Sequence, residues 1–490
     1  MIPPMRILTC ALLAVSLCCI PAPLQAGGEV RQFTNKQGQS IQASVESISD
    51  DKVTLLLKSG KSYTIPISSL SQADQDFLKE NAGKLNAGLT GIADQLNQAA
   101  GHQLFTADSL FTRPADEIAS ALKLKPESKT DYSQSWRLYA AFRAKDYTLF
   151  GAMPYSIAMY ADAEGNMQSL SAVFANKGDF GQEANFGPDH FLNKRPNPPG
   201  SLQEAMDMDD AAVHGAITPI LGEPKKQRYG EGKARRWTQR WDWNGLSILL
   251  STAENEYVTL SIVPTALADS KGKTERVKDE VIKAQLEKNL SQNENGDVLL
   301  KNIPMVNQGP KGYCVPATFE RAMRYMGIEA DMYLLAMIGE TNEGGGTSVS
   351  KLVDGVKSQV YSKGRRTKDI DLKNPIRIRD IKRYIDQGAP LMWRMCSTDK
   401  YNELANNRTK ARQSVTDWAE YAKIAAEESA PFADYPSAED SYHICMIIGY
   451  NETTGEIAVS DSWGPRYEVR WIHSLEASPY SKDACFIILP

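Results

Sequence analysis

The stretch NQGPKGYCVPATFERAMRYMG, residues 307–327, decides how this chain is read. From Val315 the apolar residues Val315, Phe319, Ala322, Met323 and Met326 recur at spacings of three and four, the pattern of one buried helix face, and Gly327 closes it. Pro316 fits the first turn, where its missing N–H is no loss. Cys314 therefore stands at a helix N-terminus, where unpaired N–H groups and the helix dipole favour thiolate over thiol. A cysteine so placed is either a small core residue or a nucleophile.

Two further stretches bear on that choice. SYHICMIIGYN (441–451) reads as a strand led by His443, and GEIAVSDSWG (455–464) as a second strand ending at Asp461, with NETTG as the turn between them. Antiparallel pairing lets His443 and Asp461 meet. A nucleophilic thiol needs a base to take its proton, and that base needs a group to fix its tautomer. Cys314, His443 and Asp461 supply one candidate for each role.

The Q-x5-C spacing from Gln308 to Cys314, the helix beginning at the cysteine, the later HxxxxxGY strand and the DSWG segment together resemble a papain-like cysteine peptidase. More closely, IPMVNQGPKGYCVPAT is similar to the double-glycine leader peptidase family, numbered 39 among cysteine peptidases, in its stand-alone form. Residue by residue, the resemblance implies Cys314 as nucleophile, His443 as general base and acid, and Asp461 as orienter. It implies Gln308 as oxyanion donor together with the Cys314 N–H, and Trp463 as an indole shielding the His–Asp contact. It covers Val298 to Pro490. Family members that process bacteriocin leaders are commonly fused to a transporter; this sequence has no membrane span or nucleotide-binding loop, so double-glycine specificity is not carried over. NEGGGTS (342–348), which holds Gly345 and Gly346, is either a flexible loop lining the cleft or a plain turn. Residues 397–440 look like an insertion whose helical QSVTDWAEYAKIAAEES is placed to cover the cleft as a lid. No histidine pair has zinc-ligand spacing, and neither a metal nor a cofactor is expected.

With 490 residues, 42% of them hydrophobic and 23% charged, the chain can build several domains with real cores, and a disordered protein is excluded. A net charge of -5 without any Lys/Arg run argues against a nucleic-acid partner. The segment MIPPMRILTCALLAVSLCCIPAPLQAGG reads as a signal peptide cut after Ala26, so the mature protein is expected to be secreted or periplasmic. A lipid anchor is disfavoured, because none of Cys10, Cys18 and Cys19 follows the small residue such a site requires. No later segment approaches the roughly 20 apolar residues of a membrane helix. Four cysteines remain, and Cys445 and Cys485, both in apolar strand-like runs, are either cross-sheet neighbours or buried unpaired thiols.

Residues 27–80 alternate as short strands, with Ser71 and Asp74 placed as a capping box for the helix that follows. RQFTNKQGQSIQASV, VTLLLKSGKSYTIPISSLS and DQDFL, with Gly38 and Gly60, resemble the SH3-like Sla homology type one domain, whose relatives bind short peptides; a passive scaffold is the alternative. Residues 81–100 read as a polar helix or linker and 101–265 as an α+β region in which a helix followed by a hairpin occurs twice, suggesting an internal duplication. Trp237, Trp241 and Trp243 share a strand face there, more often core than sugar-binding. Residues 266–297 read as a charged, solvated helical linker with a thin stripe of Val277, Val281, Gln285 and Leu286, and 298–490 as the peptidase region. The expected fold class is thus α+β and multidomain: a small SH3-like β-barrel, an α+β middle region and a C-terminal papain-like cysteine peptidase fold. The expected function is an exported cysteine peptidase acting on a peptide or protein, with transpeptidation open to the same residues. The reading from another class is a non-catalytic envelope protein that binds peptide or glycan on a retained peptidase scaffold.

Overall fold

The alternating residues after Val30 pair into four strands in the computed structural model, which describes residues 30–48, 51–57, 62–140, 146–180, 199–310, 312–342 and 346–490. The expected signal segment, Gly60 and Gly345 lie outside the described residues. Strands β1 (Arg31–Thr34), β2 (Ser40–Ile48), β3 (Lys52–Leu57) and β4 (Ser62–Pro66) form an antiparallel sheet in that order. Phe33, Ala43, Val45, Val53 and Leu55 gather with Leu70 and Leu78 into a small core. A bridge between Asn35 and Leu70 returns the chain to β1. Ser71 then caps the helix Gln72–Ala100 by accepting from the Asp74 N–H. The expected capping box is incomplete: the Ser71 N–H is already given to the Thr34 carbonyl, and the Asp74 carboxylate accepts from the Thr34 N–H and Arg31 instead. This helix runs unbroken through the expected linker and buries Ala93, Leu96 and Ala100 in the next core.

The middle region repeats one unit. The helix Ala115–Ala121 precedes β5 (Lys125–Lys129), β6 (Ser133–Leu138), β7 (Ser156–Asp162) and β8 (Met167–Asn176). The helix Leu202–Leu221 precedes β9 (Lys225–Tyr229), β10 (Arg236–Trp243), β11 (Leu246–Ala253) and β12 (Tyr257–Pro264). Each half is an antiparallel meander, and β8 pairs with β12 to join them as one eight-stranded sheet. One face is covered by the helices and forms the core. The tryptophan row divides: Trp241 and Trp243 are core, while Trp237 is 59% exposed. Its partner on the edge strand β9 is Arg228, whose guanidinium covers the indole in place of a helix.

The third sheet contains β13 (Leu290–Gln292), β14 (Asp297–Leu300), β15 (Arg366–Asp371), β16 (Leu391–Cys396), β17 (Tyr442–Asn451) and β20 (Ser481–Leu489), ordered β13-β14-β17-β16-β20-β15. Two more strands, β18 (Glu456–Ser460) and β19 (Arg470–His473), branch from β17. The sheet thus opens at Leu290, ahead of the expected start at Val298. The preceding helix, Asp279–Asn289, is not a solvated bridge: Ile282 and Leu286 enter this core, and Val281 of the expected stripe is 46% exposed. Gly327 and Gly388 make this docking possible, since a Cβ on either would press against Ile282 or Leu286.

Topology decides two further points, selecting buried unpaired thiols for Cys445 and Cys485 and overturning the lid. Cys445 and Cys485 each pair with Trp393, from opposite sides, so β16 separates them and neither is in reach of a disulfide. The insertion is not a lid. Its helices Asp399–Ala411 and Trp418–Ser429 pack behind β19, anchored by buried Arg408 on Glu476 and buried Arg412 on Asp297 and Glu456. Among the described residues no helix is long and apolar enough to cross a membrane.

Candidate active site

The helix Cys314–Tyr325 begins at the cysteine and lies against β17, β16 and β20. Its amphipathic pattern understates its burial, because the polar side is covered as well. Arg321 reaches the Pro304 carbonyl and Ser460, and Glu320 meets Arg324 and the Tyr160 hydroxyl of the middle sheet. Cys314, in the first turn, keeps partial exposure. His443, near the start of β17, lies beside the thiol, and its Nε2 is 3.0 Å from Asp461 Oδ1. Asp461 follows the end of β18, which the turn after Asn451 folds back onto β17. The indole of Trp463 stacks on the imidazole, with ring centres 4.8 Å apart.

Charge and burial set the protonation of this trio. Burial alone raises the thiol of Cys314, but the hydrogen bond and charge of His443, with N–H groups of Ile444 and Val315, outweigh it and hold the thiol below its ordinary value. Burial likewise disfavours imidazolium, yet Asp461 and Cys314 raise His443 to about 9. Asp461 is pushed up by burial and held down more strongly by His443 and Arg470, so its pKa lies below the usual carboxylate range. The pairing therefore favours thiolate and imidazolium together around neutral pH.

Arg470 had no signal in the sequence beyond strand alternation. From β19 its Nη2 and Nε bond Asp461 Oδ2 at 2.7 and 3.2 Å, so the carboxylate serves His443 with one oxygen and Arg470 with the other. Its Nη1 donates to Asn402 and Asn406 on the insertion helix. That helix therefore supports the candidate site from behind. His473, the other histidine of this region, caps a short helix and accepts from the Leu475 N–H, away from the cysteine.

A cavity of about 470 Å³ opens over Cys314 and His443, lined also by Gly346, Thr347, Ser348, Met395, Tyr442 and Phe486. Of the two expected loop glycines, Gly346 lines this cavity. Its remaining charged lining is basic: Arg394 and Lys482 border it, and no carboxylate does among the described residues. Arg394 is the cross-strand partner of Ile444, whose N–H faces the thiol. Gln308 is buried, and its N–H donates to the Ser462 carbonyl at 2.8 Å, which ties the segment before the cysteine to the segment between Asp461 and Trp463. Among the described residues no group of three or more His, Cys, Asp or Glu is placed to hold a metal.

Residues 300–479 match the family model described as Peptidase_C39 like family, which supports a peptidase-like domain in this part of the chain. No curated protein matches the chain.

Proposed function

We propose that the chain is an exported cysteine peptidase that cleaves peptide bonds through Cys314, His443 and Asp461. The observation that carries this reading is the placement of thiol and imidazole together on one cavity with the imidazole bonded to the carboxylate, and with the thiol lowered and the imidazole raised. The thiolate attacks the scissile carbonyl, the oxyanion rests on Gln308 and the Cys314 N–H, and His443 protonates the leaving amine. Water then releases the thioester with His443 as base. The basic lining from Arg394 and Lys482 favours peptides with an acidic residue beside the scissile bond. The resemblance of residues 27–80 to an SH3-like module extends the proposal to a short peptide segment held away from the cleft.

The test is labelling by a thiol-directed activity probe, followed by cleavage profiling of a peptide library. Cys314→Ala should lose both label and turnover while shifting stability by no more than about 1 kcal/mol, since it removes one small atom group. Unaltered turnover in that variant would end the assignment. A wild-type chain that neither labels nor cleaves would favour the binding-protein reading.

A further inference from the structure

The loop that leads to Cys314 is held from outside the peptidase region. The Met305 N–H donates to Ser128 Oγ at 2.9 Å, and the Asn307 N–H donates to Glu127 Oε1 at 2.8 Å. The Tyr139 hydroxyl donates to the Asn307 carbonyl, and the Tyr313 hydroxyl bonds Asn176 Oδ1 at 2.9 Å. Ser128, Glu127, Tyr139 and Asn176 all belong to the first half of the middle sheet or the segment next to it. Gly309, with φ +72°, has no Cβ to collide with the Tyr139 ring, which would otherwise lie 2.7 Å away. Tyr139, Tyr313, Tyr155, Val173, Val306 and Tyr333 close a buried cluster around this contact.

Glu127 is buried and ion-paired with buried Arg137, whose Nε lies 2.6 Å from Oε1. A buried ion pair seldom improves on well-packed apolar side chains for stability, because desolvation offsets its attraction. Here the same oxygen also accepts the Asn307 N–H, so the pair presents a fixed acceptor to one peptide unit. Asn307 immediately precedes Gln308, and Gln308 is itself tied through its N–H to Ser462. The peptide that joins Asn307 to Gln308 is thus held at its carbonyl by Tyr139 of the middle region and at its N–H by Ser462 of the Asp461 segment, with Glu127 holding the Asn307 N–H one peptide earlier. Burial keeps the Tyr139 phenol protonated, so it donates across the pH range of the candidate reaction.

We propose that the middle sheet is a permanent clamp on the Gln308 loop, with Glu127 and Tyr139 as positioning residues that hold the Asn307 peptide and thereby aim the oxyanion donor. This rests on the peptidase reading given above. It makes residues 101–265 a working part of the enzyme, not a propeptide to be removed. An oxyanion donor misplaced by a fraction of an ångström loses most of its effect on the transition state but little on substrate binding.

The experiment uses the full mature chain carrying Tyr139→Phe or Glu127→Gln. Each should lower kcat by about 10- to 100-fold with KM within about twofold. The rate and pH profile of Cys314 alkylation by iodoacetamide should stay as in wild type, because neither residue touches the thiol, imidazole or carboxylate. Amide hydrogen exchange should rise at residues 305–309 and stay unchanged along the Cys314 helix. Unchanged kcat in both variants overturns the clamp, as does a kcat loss matched by slower alkylation, which would indicate general disruption of the site. If wild type cleaves no peptide, the peptidase reading falls, and the exchange result alone decides the clamp: protection of 305–309 that survives both substitutions overturns it.

Discussion

Asp461 is shared between two cations, and its substitution separates them. In Asp461→Asn the imidazolium of His443 loses its counter-charge while the Arg470 guanidinium stays beside the same position, so a positive neighbour is left unopposed. His443 should then lose its proton more easily. The sign follows from its raised value: the ion pair persists up to the imidazolium pKa of about 9, so the alkaline limb of kcat/KM should lie near that pH in wild type and fall in the variant. An alkaline limb that stays in place, with wild-type rate, would remove Asp461 from the trio. Breaking the buried contact with Arg470 should also lower stability by about 3 kcal/mol, read from urea unfolding. At the rim of the cavity, Arg394→Glu should reduce kcat/KM for peptides with an acidic residue beside the cleaved bond by about fivefold, the scale of an exposed ion pair. Equal loss on acidic and neutral peptides would remove Arg394 from substrate selection. Gln308→Ala should lower kcat by about 10- to 1,000-fold with little change in KM; an effect confined to KM would make Gln308 a substrate-binding group.

At the scale of elements, the insertion between β16 and β17 is a buttress. Arg412 leaves the C-terminal end of the helix Asp399–Ala411 and bonds two buried carboxylates, Asp297 on β14 and Glu456 on β18, while its guanidinium lies over Trp471. Arg412→Ala removes the counter-charge that both carboxylates share, leaving Glu456 on Tyr421 and Asp297 on Asn451 and Asn293, and should cost about 3 kcal/mol. Urea unfolding checks the magnitude, and kcat per folded molecule should hold because no contact with Cys314 or His443 is lost. A lid would behave oppositely, changing KM with little effect on stability. The element was legible as helical from its Ala and Glu content, but its docking side was not. Its apolar and polar residues alternate too loosely to name a partner, and the decisive contacts are charges matched to strands distant in sequence.

At the scale of the whole molecule, three sheets each have a core of their own, yet the candidate site draws on two of them. The mature chain should therefore turn over substrate without further processing. Sequencing the N-terminus of the active species should find residues 101–265 still attached; an active form lacking them would overturn the clamp as well. Glu127 escaped notice because KPESK reads as a charged, Pro-containing segment, the usual look of an exposed edge strand. In the fold that edge is covered by the loop before Cys314, and the charge finds Arg137 and the Asn307 N–H.

Local signals in the sequence were sufficient for the cysteine at its helix start, the hairpin that joins His443 to Asp461, and the strands rich in apolar residues. Each of these depends on periodicity, a turn or a cap, which are properties of neighbouring residues. The polar strands β5 and β9, the docking of Ile282 against Gly327, the separation of Cys445 from Cys485 by β16 and the hold of Arg470 on Asp461 were decided by the tertiary structure. They arise from long-range packing, in which a charge or a missing side chain acquires its meaning from a partner far along the chain, and no local pattern encodes which partner that is.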